Sequence, residues 1–164
     1  IHYPAKFGRE GRRLKTLINT EDIMPTLLGL SEVAIPKTVE GSDFSEFIEG
    51  GKNPNDGVAL ISCPAPFGQW ARRWGGREFR GIRTVNHTYV EDLRGPWLMF
   101  DNEKDPFQLN NLLTNPGNEK LAEDLRKILR RKLKETNDEF LPDHSYVEKW
   151  GYPLDKTGTV PYKN

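Results

Sequence analysis

Apolar residues recur along this chain at spacings that separate a short helix from a set of strands and a longer helix. The first group lies on one side of a helix over residues 21–29, and capping and acidic side chains at 19–22 precede it. Pro25 falls about one turn into this segment, where a missing N–H does little damage, and Gly29 lies near its end. The group consists of Ile23, Met24, Leu27, Leu28 and Leu30.

Four strand patterns follow in the middle of the chain. Residues 58–62 form an unbroken apolar run, which is typical of a buried strand. Three more runs, at about 78–84, 88–93 and 97–101, are joined by links short enough for hairpins. These patterns predict a small four-stranded, mainly antiparallel sheet and, with the helices, an α+β arrangement.

A longer amphipathic helix is predicted over 116–135. Asn115 and Pro116 form a start signal, and acidic side chains come early and basic ones late, which suits the helix dipole. One stripe carries the apolar side chains Leu121, Leu125, Ile128, Leu129 and Leu133. We expect this stripe to cover one face of the sheet.

The last strand pattern is apolar at successive positions, so both of its faces avoid water. Trp97, Leu98, Met99 and Phe100 do not alternate with polar residues, as they would if one face met solvent. The helix can cover one face, and nothing else in the sequence obviously covers the other. We therefore expect a second body there, either a missing N-terminal domain or another copy of the chain.

The remaining segments predict a division into three parts. Residues 1–57 begin with Tyr3-Pro4, which predicts an extended strand end, and continue through a connector with one helical turn near 44–48. Residues 58–135 hold the sheet and long helix, and the proline-containing residues 136–164 are predicted to form an extended tail.

Composition narrows the classes of protein. Only 35% of the 164 residues are hydrophobic, so a core built by this chain alone would be thin. Lys and Arg total 24, as do Asp and Glu, which argues against a nucleic-acid or anionic-membrane partner. No apolar run approaches a membrane span, and a single cysteine excludes an internal disulfide. The start, without Met or a signal peptide, suggests a piece of a longer protein whose localisation the sequence does not settle.

Candidate metal ligands are poorly spaced. The three histidines lie far apart along the chain. The stretch 101–105 resembles the start of a calcium loop, but Pro106 stands where glycine is required and Leu112 where the closing glutamate should be. We predict a turn there, and no metal site in this chain.

A loop rich in tryptophan and arginine is the best candidate for ligand contact. Arginine pairs bidentately with sulfate or carboxylate, and tryptophan offers a stacking face to a sugar or aryl ring. The alternative is that the tryptophans pack the domain and the arginines are solvated. The candidate substrate-binding residues are Trp70, Arg72, Arg73 and Trp74.

Two segments in order resemble one family. INTEDIMPTLLGLSEVAIPKTVEGSDFS resembles the D-[IL]-x-P-T-[LI]-L-x-L helix and the following x-x-G-x-[SD]-[LF] of type I sulfatases, in the alkaline-phosphatase superfamily. FRGIRTVNHTYVEDL, followed by WLMFDNEKDPFQLNNLL, resembles the family's R-[AG]-[VI]-R-T-x-x-Y-[KT]-Y strands and L-[YF]-D-x-x-x-D-P-x-[EQ]-x-x-N-L turn. The resemblance covers about residues 1–135 and assigns 1–57 to the end of the large sulfatase domain.

The resemblance implies an α/β hydrolase of sulfate esters, of sulfated sugars or aryl sulfates, with an alkaline-phosphatase-like fold. Calcium and formylglycine are implied for the full-length parent, and so is export to the periplasm or the outside of the cell. The family's catalytic and metal motifs would lie upstream of Ile1, so no catalytic residue, metal ligand or cofactor is assigned to this chain.

Cys63 lies in a partial match to the family's maturation motif C/S-x-P/A-x-R. Phe67 replaces the required arginine, so we interpret Cys63 as a small, half-buried residue. The first hypothesis is thus a C-terminal sulfatase fragment, inactive alone, that completes the fold and shapes the rim against a sulfated small molecule or glycan. The alternative is an independent, non-catalytic binding or scaffold module.

Overall fold

The computed structural model of the protein describes residues 1–66, 68–156 and 161. It divides into two compact units, Ile1–Gly57 and Val58–Asn164. None of the helices in the described part of the chain combines the length and the apolar character needed to cross a bilayer.

The first unit contains three short helices. They are α1 at Pro4–Phe7, α2 at Ile23–Leu30 and α3 at Ser45–Ile48, and a 3₁₀ turn at Thr20–Asp22 leads into α2. The helix predicted over 21–29 and the helical turn predicted near 44–48 are therefore present. The extended conformation predicted around Tyr3 is wrong, because Pro4 opens α1, and the fixed φ of proline suits the first helical position.

Two side chains of the first unit bind the helical motif to the connector after it. The Asp22 carboxylate accepts backbone N–H bonds from Asn19 and Ser42, each at 2.8 Å. The Thr26 hydroxyl donates to the Asp22 carbonyl at 2.7 Å and accepts from the Phe44 N–H at 3.0 Å. Since Asp22 and Thr26 are buried, the fold would lose stability if either side chain lacked these hydrogen-bond partners. The two parts of the first family motif therefore hold each other in place.

The second unit is organised by a four-stranded antiparallel sheet, as predicted. Its strands are β1 at Ala59–Cys63, β2 at Phe79–Arg83, β3 at His87–Asp92 and β4 at Gly95–Asp101, in the order β1-β2-β3-β4. Short hairpins place consecutive strands side by side. A bulge at Val90/Glu91 shifts the register between β3 and β4.

Helix α4, at Glu119–Glu135, covers one face of the sheet. Ile82, Tyr89 and Met99 are paired across the strands on this face, and all three are fully buried. The buried side chains of the helix that join the same cluster are Leu125, Leu129 and Leu133. The predicted apolar stripe is therefore the one that closes the core.

The predicted start of this helix is wrong by one turn. A 3₁₀ turn at Leu112–Thr114 precedes it, and Gly117 has a φ of +96°, which a right-handed helix does not allow. The helix therefore begins at Glu119 rather than at Pro116. Asn111, not Asn115, caps the preceding turn by accepting the Leu113 N–H.

The tail is not wholly extended. Helix α5 occupies Asp143–Trp150 and ends at Gly151, which takes a left-handed conformation. Tyr146 holds this helix to the sheet, because its hydroxyl donates to Asp138 at 2.9 Å and accepts from Arg80 at 3.1 Å. The extended prediction also covers residues 157–160 and 162–164, which lie outside the described residues.

Candidate functional site

The candidate binding loop is a tight double turn between β1 and β2. It contains 3₁₀ turns at Gly68–Trp70 and Arg72–Trp74, and the Ala71 carbonyl accepts N–H bonds from Trp74 at 2.8 Å and Gly76 at 3.2 Å. A β-carbon on Gly76 would lie 1.6 Å from the Trp70 carbonyl oxygen, so only glycine fits there. Hydrogen bonds and close contacts within its own backbone therefore fix the conformation of the loop. Phe67, which precedes it, lies outside the described residues.

Trp70 packs against the sheet. Its ring stacks on Trp97 at 6.3 Å between centroids and 22° between planes, and Phe79 lies 6.1 Å from Trp97 on the other side. Phe79 faces away from α4, so Trp70 covers one end of the opposite sheet face. The prediction that nothing in this chain covers that face is wrong at this end.

Arg72 is held by carboxylates. It bonds to Glu78, whose side chain is 1% exposed, and to Asp143 at 2.9 Å. Burial by itself raises the pKa of Glu78, but the Asp143 N–H and the Arg72 guanidinium outweigh it and lower the pKa below its ordinary value. Arg72 therefore joins the loop to the start of α5.

Arg73 and Trp74 form the exposed part of the loop. Trp74 is 69% exposed, and the Arg73 guanidinium carbon lies 5.9 Å from the centre of its ring. A flat aromatic face beside a cation can stack a ring and pair with an anionic group on it. All four predicted residues lie in one loop and are exposed, but Trp70 and Arg72 are also anchored, to Trp97 and to two carboxylates. Arg73 and Trp74, which lie against each other, form the second, exposed pair.

Arg77 is a neighbour of this loop that the sequence interpretation did not single out. Its guanidinium carbon lies 4.5 Å over the ring of Trp97, and its Nη1 bonds to Asp92 at 2.9 Å. Arg77 and Trp70 therefore both contact Trp97. The abundance of arginine in this stretch indicated a candidate binding residue. The contact between Arg77 and Trp97 could not be predicted, because it depends on strand pairing.

Buried charges behind the sheet were also missed. Glu91 is fully buried on β3 and receives Arg126 at 3.0 Å, Arg130 at 2.6 Å and the Tyr89 hydroxyl at 2.8 Å. Burial, together with the bond to Glu91, raises the pKa of Tyr89 far above its ordinary value. An acidic residue within a strand pattern was the only available signal.

Arg80 forms a second buried charged group, since its side chain is 2% exposed and bonds to Asp138. Burial by itself raises the pKa of Asp138, but the bonds from Arg80, the Phe140 N–H and Tyr146 lower it below its ordinary value. This carboxylate is therefore ionised in the folded protein at neutral pH. It fixes the segment after α4 to β2.

The stretch 101–105 is the predicted turn. Asp101 accepts backbone N–H bonds from Glu103 at 3.0 Å and Lys104 at 2.9 Å, and Asp105 accepts them from Leu109 and Asn110. Within the described ranges, no group of three or more His, Cys, Asp or Glu side chains could hold a metal ion. The calcium implied for the parent protein therefore finds no fitting set of ligands among the described residues.

Cys63 does not fit the implied formylglycine either. It lies half-buried at the end of β1, opposite Phe79, and burial raises the pKa of its thiol. A raised pKa keeps a thiol protonated and unreactive. With phenylalanine in place of the motif's arginine, Cys63 has a packing role.

Comparison with known proteins agrees with the fold. An ulvan-active sulfatase from Formosa agariphila is 40% identical over 163 residues, which make up 99% of this chain and 31% of that protein. An arylsulfatase from Clostridium perfringens is 30% identical over 148 residues, 90% of this chain and 28% of that protein. The chain therefore spans about a third of the length of these curated relatives.

A solved structure gives the same result at lower identity. A protein in complex with its substrate, D-glucosamine-2-N,6-O-disulfate, superimposes with a TM-score of 0.61 at 24% identity, over 74% of this chain and 25% of that one. At this identity the likeness shows the fold alone, the C-terminal part of an alkaline-phosphatase-like fold. The predicted resemblance to the sulfatases is confirmed over nearly the same residues, because the chain belongs, by its match over 1–136, to the family described as N-sulphoglucosamine sulphohydrolase, C-terminal.

Proposed function

We propose that this chain is the C-terminal part of an enzyme that hydrolyses sulfate esters and that the chain completes the fold without supplying the reacting groups. The family match over residues 1–136 carries this proposal. Calcium and formylglycine, which the family implies, are assigned in this proposal to the rest of the parent protein. Family membership also supports export of that parent.

The sheet face opposite α4 is the surface we assign to the rest of the parent. Ile61 and Leu98 are half-buried there, while Val90 lies between them and is buried. Trp70 covers only the end of the face near Phe79 and Trp97. Apolar area that remains exposed at a sheet favours association with another polypeptide.

The exposed pair of the binding loop supports a saccharide substrate. Trp74 can stack against a sugar ring, while Arg73 pairs with a sulfate or carboxylate group of the same or the next unit. The relative at 40% identity is named for activity on ulvan, and the arylsulfatase is less similar. We therefore favour sulfated sugars over simple aryl sulfates.

The chemistry is tested by comparing lengths of the polypeptide. With calcium present, this chain alone should release no sulfate from a chromogenic aryl sulfate or a sulfated oligosaccharide. A longer polypeptide that includes the coding region upstream of Ile1, with its C/S-x-P/A-x-R motif, should release it. Hydrolysis by this chain alone would overturn the proposal, and a start codon close upstream of Ile1 would favour an independent binding module.

The partner face is tested separately. The isolated chain should bind a hydrophobic dye or form dimers, and addition of the upstream polypeptide should suppress both. A compact monomer that binds no dye would contradict an exposed partner face. Dimers that persist when the upstream polypeptide is present would show self-association instead.

A further inference from the structure

A cavity of about 280 Å³ lies between the β3–β4 hairpin and the middle of α4, in a part of the second unit that the binding loop does not form. Its surface is mainly polar, and the charged side chains that line it are Arg94, Arg126, Arg130, Asp92 and Glu139. The volume is near the lower end of the range for ligand sites, which suits one monosaccharide unit better than an extended chain.

The arginines of this cavity are oriented from behind by buried carboxylates. Glu91 is fully buried and holds Arg126 through its Nε and Arg130 through one Nη. The guanidinium side chains themselves are 44% and 51% exposed. The negative charge therefore lies inside the protein, and the positive heads face the cavity.

The second carboxylate repeats this arrangement at the hairpin. Asp92, whose side chain is 8% exposed, bonds to Arg94 and to Arg77, each at 2.9 Å. Burial by itself raises the pKa of Asp92, but the two arginines and the Arg94 N–H lower it below its ordinary value. Asp92 therefore stays ionised, and holds both guanidinium groups, throughout the neutral range.

The charges of this group do not cancel. Three arginines line the cavity, and the carboxylates that hold them, Glu91 and Asp92, carry two negative charges, so a surplus of one positive charge remains. Glu139, which also lines the cavity, is paired with Lys149 at 2.8 Å and adds no net charge. A guanidinium has five N–H donors, and the bonds to the carboxylates use only some of them.

We propose that the cavity lined by Arg94, Arg126 and Arg130 binds the oxoanion, a sulfate ester or a carboxylate, of one unit in an acidic saccharide. The oxoanion follows from the cavity, and the saccharide class rests on the proposed function. Guanidinium forks match both anions, and the surface of the cavity is mainly polar, which suits a hydrated, charged sugar unit. Zero net charge over the whole chain argues against a nucleic acid.

The test is a titration of this chain with glucose 6-sulfate, with glucuronate and with neutral glucose, followed by NMR. At least one of the two anions should give saturable shifts at the cavity residues, and glucose should not. The anion that binds more tightly identifies which oxoanion the cavity prefers. Absence of saturable shifts with both anions would overturn the proposal.

Matched variants separate a built site from general charge attraction. Arg94→Gln should weaken anion binding about tenfold, because a charged hydrogen bond is lost while Asp92 keeps Arg77. Lys127→Gln removes the same charge from an exposed position on α4 and should leave affinity unchanged. Equal weakening of anion binding by the two variants would contradict a specific site at the cavity.

A second variant tests whether the effect of Arg94→Gln comes only from a local structural change in the β3–β4 hairpin. Arg130→Gln leaves Glu91 with Arg126, so the fold should survive, as thermal unfolding will show, and binding should again fall about tenfold. Unchanged affinity in a folded Arg130→Gln chain would contradict the site. None of these measurements uses catalysis, so a parent without sulfatase activity would refute the proposed function while leaving this result intact.

Discussion

The two faces of the sheet differ in how far this chain closes them. On the α4 side, Tyr89, Met99 and Leu129 are all fully buried, and the adjacent charges of Glu91 and Arg80 are matched by partners. On the other side, Val90 and Phe100 are buried, whereas Ile61 and Leu98 are only half-buried. The first face is a finished core, and the second is suited to contact with something else.

The difference extends to the arginines. Arg80 is buried and anchored to Asp138, whereas Arg73 is exposed beside Trp74 in the loop between β1 and β2. A buried guanidinium without its carboxylate costs several kcal/mol, about 3–5, while an exposed one costs little. Arg80 therefore secures the fold, whereas an exposed guanidinium such as that of Arg73 is available to a ligand.

The largest expected effect is on the closed face. Leu129→Ala removes a fully buried side chain from the contact between α4 and the sheet and should lower the free energy of unfolding by about 2–5 kcal/mol. Leu98→Ala on the open face should cost about 1 kcal/mol, because that side chain is only half-buried. Urea denaturation measures both, and equal losses would remove the contrast between the faces.

The buried ion pair of the closed face should give the next effect. Asp138→Asn should lower stability by about 2 kcal/mol at neutral pH, less than loss of the whole partner, because the amide oxygen can still accept from Arg80 although the charge is gone. Because the folded pKa of Asp138 is lowered, its contribution is present above the unfolded value, about 4, and is lost as the pH falls through the lower folded pKa.

Thermal unfolding from pH 7 to pH 2 tests that dependence. The unmodified chain should lose stability below about pH 4, and Asp138→Asn should lose less over the same interval. Glu78 and Asp92 also have lowered pKa values, so both proteins should still lose some stability as the pH falls. Parallel curves for the two proteins would refute the role of Asp138.

A smaller effect is expected at the loop that covers the end of the open face. Gly76→Ala places a β-carbon against the Trp70 carbonyl, so the loop must open and the stack of Trp70 on Trp97 is disturbed. We expect a loss of about 1–2 kcal/mol and a changed near-UV circular dichroism spectrum. Gly11→Ala, where a β-carbon meets open space, is the control and should change neither property.

The smallest effect on stability should come from the exposed pair. Trp74→Ala should change the free energy of unfolding by less than about 0.5 kcal/mol. Trp70→Ala should cost about 1 kcal/mol, because it loses its ring contact with Trp97. In the longer parent, Trp74→Ala should raise KM for a sulfated oligosaccharide about three- to tenfold. An unchanged KM would show that Trp74 does not contribute to substrate binding.

The residues that carry the family resemblance are mainly structural. Arg80 anchors to Asp138, Ile82 lies in the core, and Gly81 lets Ile61 and Val90 approach, since a β-carbon there would lie about 3 Å from both side chains. The motif therefore identified the family through its packing requirements. It carried no information about the reacting groups, which we assign to the rest of the parent protein.

Local patterns were sufficient for most of the elements. The strands lie within about two residues of their predicted bounds, because alternation and turn residues depend on neighbours in sequence. The end of α4 was also predicted, and its start was not, because Gly117 turns the chain just before it. Helix α5 was missed, since a short segment with few apolar residues depends on anchors such as Tyr146.

The candidate site was only partly predictable for a different reason. Composition placed Trp70, Arg72, Arg73 and Trp74 together, because they are neighbours in the chain. Their separation into anchors and an exposed pair depends on partners such as Trp97, which strand register brings into contact.

Periodicity and turn residues thus determined the sheet and the long helix, and two motifs identified the sulfatase family by resemblance, because these signals lie in short stretches of sequence. Tertiary structure alone decided which arginines are buried, which carboxylates hold them and which face of the sheet stays open. Arg80 and Asp138 are 58 residues apart, and Glu91 and Arg130 are 39 apart. Such pairs form only when strand register and helix packing bring distant side chains together. A pattern over neighbouring residues does not predict them.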